Sequence, residues 1–291
     1  LRSGFVTIVG RPNVGKSTLL NRLVGQKVAI VTPKPQTTRN RILAIANTGE
    51  AQIVFFDTPG IHKPKHEMNR RMVGTAVESL KHVDLALLLV DVTEPFGPGD
   101  LYVLERIREA RTPVVLAINK VDRVKKQEIL PVIDACRGRH DFAEIVPISA
   151  LEGDNVDALE GALTKHLPEG EALYPSDTLT DLPERFFVAE IVREKILELT
   201  REEIPYASAV LIEAWEESER LTRIEATVLV ERESQKGILV GKGGSMMKRI
   251  GTAAREDVEA FLGTKVFLGL HVKVRSGWRE NERLLSELGI E

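Results

Sequence analysis

The chain has 291 residues, 43% hydrophobic and 29% charged, with a formal net charge of −3, a composition of a soluble globular protein with material for two domains. No apolar run approaches the roughly 18 residues of a membrane span, and the first residues lack the layout of a signal peptide, so a cytoplasmic location is expected. A single cysteine, Cys136, excludes an internal disulfide and argues against a structural zinc site.

The first apolar run, Phe5–Val9, leads into Gly10-Arg-Pro-Asn13-Val14-Gly15-Lys16-Ser17, and a helical pattern starts at Thr18. Strand, glycine loop and helix in that order form a phosphate cradle, in which backbone N–H groups and the positive end of a helix dipole surround the phosphates of a nucleoside triphosphate. The expected nucleotide contacts are Gly10, Asn13, Val14, Gly15, Lys16, Ser17 and Thr18. Lys16 should reach the β and γ groups, and Ser17 should offer its hydroxyl to Mg²⁺. The polar, proline-bearing stretch 31–40 reads as a switch loop whose threonine meets Mg²⁺ and the γ-phosphate only in the GTP state. Thr38 is the expected ligand by its place before Arg39, with Thr37 as the alternative.

Ile53–Asp57 is the next strand, and Asp57-Thr58-Pro59-Gly60 ends it. Asp57 is expected to hold Mg²⁺ through its water shell, while the Gly60 N–H meets the γ-phosphate. Residues 61–70 should form a second switch, with His62 and His66 as solvated loop residues. Ile61 stands where Ras-like GTPases have a water-orienting glutamine, so intrinsic hydrolysis should be slow. Lys16, Thr38 and Gly60 are the residues expected to carry the reaction.

Leu85–Asp91, Val114–Asn119 and Ile145–Ser149 complete the strands. Their near-continuous hydrophobicity predicts a parallel sheet covered on both faces, with ligand loops at the carboxyl ends. Asn119-Lys120-Val121-Asp122 then chooses the base. The Asp122 carboxylate suits the N1–H and 2-amino donors of guanine, and adenine would leave that acceptor unpaired. Asn119 can support the base edge, the Lys120 stem can lie along the ring, and backbone N–H groups of Ser149-Ala150-Leu151 can meet guanine O6.

Residues 168–183, with three prolines and no clear period, read as a linker between a domain at 1–167 and a smaller α+β domain at 184–291. In the latter, Glu184–Thr200 and Ser245–Leu262 have helical spacing. Ser208–Glu213, Ile224–Glu231 and Phe267–Val274 read as strands, and Ile238–Val240 as a short apolar run. Gly241-Lys242-Gly243-Gly244 opens the helix at Ser245 as a G-x-x-G turn, of the kind that brings backbone close to single-stranded nucleic acid. Gly241, Lys242, Gly243, Gly244 and Lys248 are the expected RNA contacts, with Ile238 and Ile250 as groove walls. Residues 234–279 carry nine Lys/Arg against three acidic residues, whereas 184–233 carry seven against thirteen, so a basic half stands beside an acidic one.

In their order, the nucleotide motifs resemble the full set of translation-factor-class GTPases, and the second half resembles a type II KH domain. The expected fold is therefore an α/β P-loop NTPase domain followed by a smaller α+β KH domain. With Gln36-Thr-Thr-Arg39, Val240-Gly-Lys-Gly-Gly244 and a closing Gly277-Trp278, nearly the whole chain resembles the Era family of bacterial GTPases. That resemblance implies GTP/GDP and Mg²⁺ at the first domain and single-stranded RNA near the 3′ end of 16S rRNA at the second. It also implies a role in maturing the small (30S) ribosomal subunit, with RNA affinity gated by the nucleotide; DNA is not an expected partner. The phosphate loop is similar to those of GTPases that use K⁺ in place of an arginine finger, which implies Asn13 as a K⁺ ligand. Peripheral contact with the inner membrane is also implied by the family, without any anchor in this sequence. Other readings are a tRNA-modification GTPase, a signalling GTPase without RNA function, and an RNA-binding module whose nucleotide is only structural.

Overall fold

The first apolar run grows into β1 (Arg2–Gly10), an inner strand of a six-stranded sheet. A computed structural model describes residues 1–64 and 67–290. The chain divides into two compact units, the first over residues 1–181 apart from a short stretch near residue 67, the second from Leu182 onward.

In the first unit, β1, β2 (Ile42–Asn47), β3 (Ala51–Asp57), β4 (Leu85–Asp91), β5 (Val114–Asn119) and β6 (Glu144–Pro147) lie in the order β2-β3-β1-β4-β5-β6. All neighbours are parallel except β2, which runs antiparallel to β3. The helices α1 (Lys16–Val24), α2 (Glu67–Ser79), α3 (Pro98–Ala110), α4 (Lys126–Arg137) and α5 (Val156–His166) alternate with the strands. Every residue of β3, β4 and β5 is buried, which is why these segments are apolar throughout rather than alternating. Cys136 is wholly buried, and burial pushes its thiol up to about 11, so it is a packing residue of α4.

Three expectations change. β2 was not foreseen; Ile42–Ala46 is a buried run that pairs with β3 and sets Ile42 opposite Asp57, so the stretch carrying Thr38 is anchored beside the strand end that carries Asp57. β6 stops at Pro147, and Ser149 stands in a loop whose turn is closed by Gly153 N–H donating to Ser149 O (2.8 Å). Of the linker expected over 168–183, residues 168–181 lie along the first unit: Ile45 N–H donates to Leu179 O (2.9 Å), the Thr180 hydroxyl to Leu43 O (2.7 Å), and the Gln52 side-chain amide oxygen accepts from Leu173 and Tyr174 N–H (2.6 and 2.8 Å). Unpaired backbone along strand β2 explains the attraction of this extended segment.

The second unit runs α6 (Glu184–Leu199), α7 (Ile204–Ala207), β7 (Ala209–Glu217), β8 (Thr222–Val230), α8 (Glu233–Val240), α9 (Ser245–Leu262), β9 (Val266–Val274) and α10 (Glu282–Glu287). β7 pairs antiparallel with β8, and β9 pairs parallel with β8 across the α8–α9 crossover. Val192, Ile196, Ala226, Val228, Leu239 and Ile250 are among the residues that form its core. The run Ile238–Val240 is not a separate extended segment but the last turn of α8, whose start is held by the Gln235 amide oxygen accepting from Glu231 and Arg232 N–H (2.9 and 3.2 Å).

Candidate functional site

The phosphate loop, Asp57, Asp91, Asn119 and Ser149 gather at the carboxyl ends of the parallel strands, around a cleft of about 510 Å³. Asn13 has a left-handed backbone (φ 66°) and Gly15 a φ of 101°, a conformation glycine reaches at little cost. A Cβ at Gly15 would also collide with the Asn119 amide nitrogen, so this loop tolerates no side chain there.

Lys16 is buried, and its ammonium donates to the carbonyls of Gly10 (3.4 Å) and Arg11 (3.1 Å). Burial lowers its pKa to about 8, and the Asp57 charge partly offsets that. Ser17 Oγ donates to Asp57 Oδ2 (2.7 Å), and Thr38 Oγ1 lies 2.8 Å from Ser17 Oγ and donates to Asp57 Oδ2 at 3.4 Å. Burial pushes the Asp57 pKa up; Lys16 and the Ser17 and Thr38 hydroxyls pull it down. Asp57 Oδ1 is buried without a hydrogen-bond partner among the described residues. Two hydroxyls gathered at one oxygen of a buried carboxylate, whose other oxygen is left without a hydrogen bond, make a hard-oxygen set that fits Mg²⁺. The Thr37 hydroxyl is turned elsewhere, to Thr32 Oγ1 (2.8 Å) and Lys34 O (2.7 Å).

Gly60 packs against the phosphate loop; a Cβ there would sit 2.7 Å from Pro12 N. Ile61 is 1% exposed, and its N–H donates to Gly10 O (3.2 Å). His62, expected as a solvated loop residue, is instead engaged: Nδ1–H donates to Gly60 O (2.8 Å), and Nε2 accepts from the Gln36 amide (3.2 Å). His66 lies outside the described residues.

At the base end, Asn119 is 2% exposed and ties two loops together: Nδ2–H donates to Val14 O (2.7 Å), and Oδ1 accepts from Ala150 N–H (2.9 Å). Ser149 Oγ donates to Asp122 Oδ1 (2.6 Å), which orients that carboxylate toward the cleft it lines. Lys120 donates to Asn13 O (2.8 Å) and to Asp91 Oδ2 (2.5 Å). Leu151 is exposed and lines the cleft.

Sequence reasoning missed three supports. Arg22 of α1 donates to the carbonyls of Ala150 (3.0 Å) and Leu151, holding the guanine loop from behind. Asp91 anchors Lys120; a carboxylate at a strand end was the available signal. Arg11 pairs with Asp100 (2.8 Å) and Glu94 (2.9 Å), fastening the phosphate loop to the start of α3.

In the second unit, Gly241, Gly243 and Gly244 have φ of 71°, 60° and 80°, and a Cβ at Gly241 would sit 2.8 Å from Met246 N. Lys242 stands in this turn, and a groove of about 540 Å³ follows it, lined by Gly244, Met247, Lys248, Arg255, Leu270 and Lys236 among others. One expectation changes here. Ile250 is wholly buried in the core because it faces inward on α9, while Ile238 is exposed on α8 and is not among the residues that line this groove. Val240, Met247 and Leu270 supply the apolar walls instead.

Residues 5–120 match the family model described as 50S ribosome-binding GTPase, and residues 203–279 match the KH domain model. GTPase Era of Syntrophus aciditrophicus (strain SB) is 52% identical over 290 residues, covering 99% of this chain and 95% of that protein. The crystal structure of a variant of Aquifex aeolicus Era bound to GDP and AlF₄⁻ is 44% identical, with a TM-score of 0.96, covering 100% of this chain and 99% of that one. Era in complex with MgGDPNP and nucleotides 1506–1542 of 16S ribosomal RNA is equally identical, 44%, over the same shares of both chains, with a TM-score of 0.97. A P-loop GTPase site and a KH domain in one chain, matched over full length by these relatives, show that the chain belongs to the Era family of GTPases.

Proposed function

We propose that this GTPase couples its nucleotide state to binding of the single-stranded 3′ region of 16S rRNA, and acts as a factor in assembly of the small (30S) ribosomal subunit in the cytoplasm. The observation that carries this is the pairing of an assembled nucleotide cleft with a glycine turn and a basic groove in the same chain. The likeness to an Era bound to that RNA segment supports it. The matched model that names the 50S particle covers the first unit alone, and the likeness to a structure holding a 16S RNA segment favours the small subunit.

In hydrolysis, Gly10, Val14, Gly15 and Thr18 shape the cradle, and Lys16 meets the β and γ groups. Ser17, Thr38 and Asp57 hold Mg²⁺, which neutralises charge on the phosphate oxygens. Asn119, Lys120, Asp122, Ser149, Ala150 and Leu151 select guanine. The Gly60 N–H faces the γ-phosphate, and because Ile61 is buried in the core, no side chain at that position can orient water. Turnover is therefore slow, and Asn13 would hold a K⁺ ion, which would supply positive charge in place of an arginine finger. In the second unit Gly241, Lys242, Gly243 and Gly244 clamp the RNA backbone, with Lys248 on a phosphate.

The test is equilibrium binding of an oligonucleotide from the 3′ end of 16S rRNA, measured over a range of salt. Binding with a steep salt slope, lost in Gly243→Asp while GDP binding is retained, is the expected result. Absence of binding to this RNA, with GDP bound normally, would overturn the RNA assignment.

A further inference from the structure

Ile61 removes the usual water-orienting side chain, so what holds the γ-phosphate side of the cleft in shape must come from other residues. Two segments meet there. One carries Thr38, whose hydroxyl already lies with Ser17 and Asp57. The other carries Gly60 and is pinned on one side by Ile61, through its buried side chain and its N–H on Gly10 O.

Among the described residues, Gln36 and His62 join the two segments through their side chains. His62 Nδ1–H donates to Gly60 O at 2.8 Å, which makes Nε2 the acceptor in the neutral ring, and the Gln36 amide donates to it at 3.2 Å. Gln36 has a left-handed backbone (φ 62°), a conformation that a residue with a side chain adopts only where its surroundings hold it. It stands two residues before Thr38 and lines the nucleotide cleft, as does Gly60. The relay thus runs from the cleft wall beside Thr38, through an imidazole with both nitrogens engaged, to the carbonyl of the residue whose N–H faces the γ-phosphate.

We infer that Gln36 and His62 form a latch between the two switch segments, and are positioning residues for GTP hydrolysis that act through Thr38 and Gly60. The Gln36–His62 contact coexists with Thr38 at the Ser17–Asp57 pair, so the latch should strengthen the arrangement in which Thr38 is engaged, the GTP-bound one, and be indifferent to GDP. Its chemistry is a hydrogen-bond relay, with no proton transferred.

The experiment measures single-turnover hydrolysis of GTP, the Kd of GDP, and the Mg²⁺ concentration that half-saturates binding of a GTP analogue and of GDP. It uses the full chain, as wild type, Gln36→Ala, His62→Ala and the double variant, with thermal unfolding as a check on folding. Loss of one neutral hydrogen bond predicts a fall in the hydrolysis rate of about two- to tenfold for Gln36→Ala, and His62→Ala, which also loses the bond to Gly60 O, should fall at least as far. The double variant should lose no more than the worse single one, because Gln36 acts through His62. The Mg²⁺ requirement should rise for the GTP analogue and stay unchanged for GDP. Unchanged rates, losses that multiply in the double variant, or equal shifts in Mg²⁺ requirement for both nucleotides would each overturn the latch. His62→Gln gives a further check, since its amide can still donate to Gly60 O and accept from Gln36, and should recover part of the rate.

Discussion

Replacing Asn119 by alanine would cut the tie between the phosphate loop and the guanine loop. The amide makes two short bonds, to Val14 O (2.7 Å) and from Ala150 N–H (2.9 Å), and the residue is 2% exposed, so both backbone groups would be left unpaired in a buried place. An unpaired buried polar group costs about 1–3 kcal/mol, so the pair costs about 2–6 kcal/mol, toward the lower end if water enters from the cleft. For a unit of this size that lowers the melting temperature of the nucleotide-free protein by about 5–15 °C. Ordering two loosened loops on binding should weaken GDP affinity by at least about tenfold. Thermal unfolding in EDTA and displacement of a fluorescent GDP give the two numbers. Asn119→Asp keeps the acceptor for Ala150 N–H but sets an oxygen against Val14 O, so it should also destabilise. A large loss of GDP affinity with unchanged stability of the nucleotide-free protein would refute the reasoning, because it would mean Asn119 acts only by touching the base.

Asp122→Asn should weaken GDP by about 100-fold or more, through loss of two charge-assisted bonds, and should bind xanthosine diphosphate better than GDP; equal loss for both bases would remove Asp122 from base recognition. Gly60→Ala places a Cβ 2.7 Å from Pro12 N, so the loop must move away from the γ-phosphate. Single-turnover hydrolysis should fall by about 100-fold while GDP affinity changes by less than about fivefold, and parallel losses would place the disturbance in the phosphate loop instead. Replacing K⁺ by Na⁺ should slow hydrolysis in the wild type and have no further effect in Asn13→Ala; equal rates in both salts for the wild type would dismiss the K⁺ site.

Much of the nucleotide site was legible because its constraints are local. Gly10 to Ser17, Asp57 to Gly60 and Asn119 to Asp122 each act within one strand end and its loop, so spacing alone carries the chemistry. What spacing could not show were the long-range supports: Arg22 reaching Ala150 O, Asp91 under Lys120, and Gln36 meeting His62. Each joins residues that only the sheet brings together. β2 was missed because the stretch before it is polar, although Ile42–Ala46 is a continuous apolar run. Residues 168–181 misled for the opposite reason: proline and polar residues signal an open segment, yet an edge strand with unpaired backbone holds them. On α9, whether Ile250 forms a groove wall depended on which face of the helix meets the sheet, and in the structure Ile250 faces the core while Met247 lines the groove.

The most direct test of the central claim compares the affinity for the 16S 3′-end oligonucleotide with the protein held by a non-hydrolysable GTP analogue and by GDP, at one fixed salt concentration. A nucleotide-gated factor binds the RNA more tightly in the GTP-like state, and the RNA in turn raises the affinity for the analogue by the same factor. Identical RNA affinity in the two nucleotide states would contradict the account and leave two activities carried on one chain without coupling.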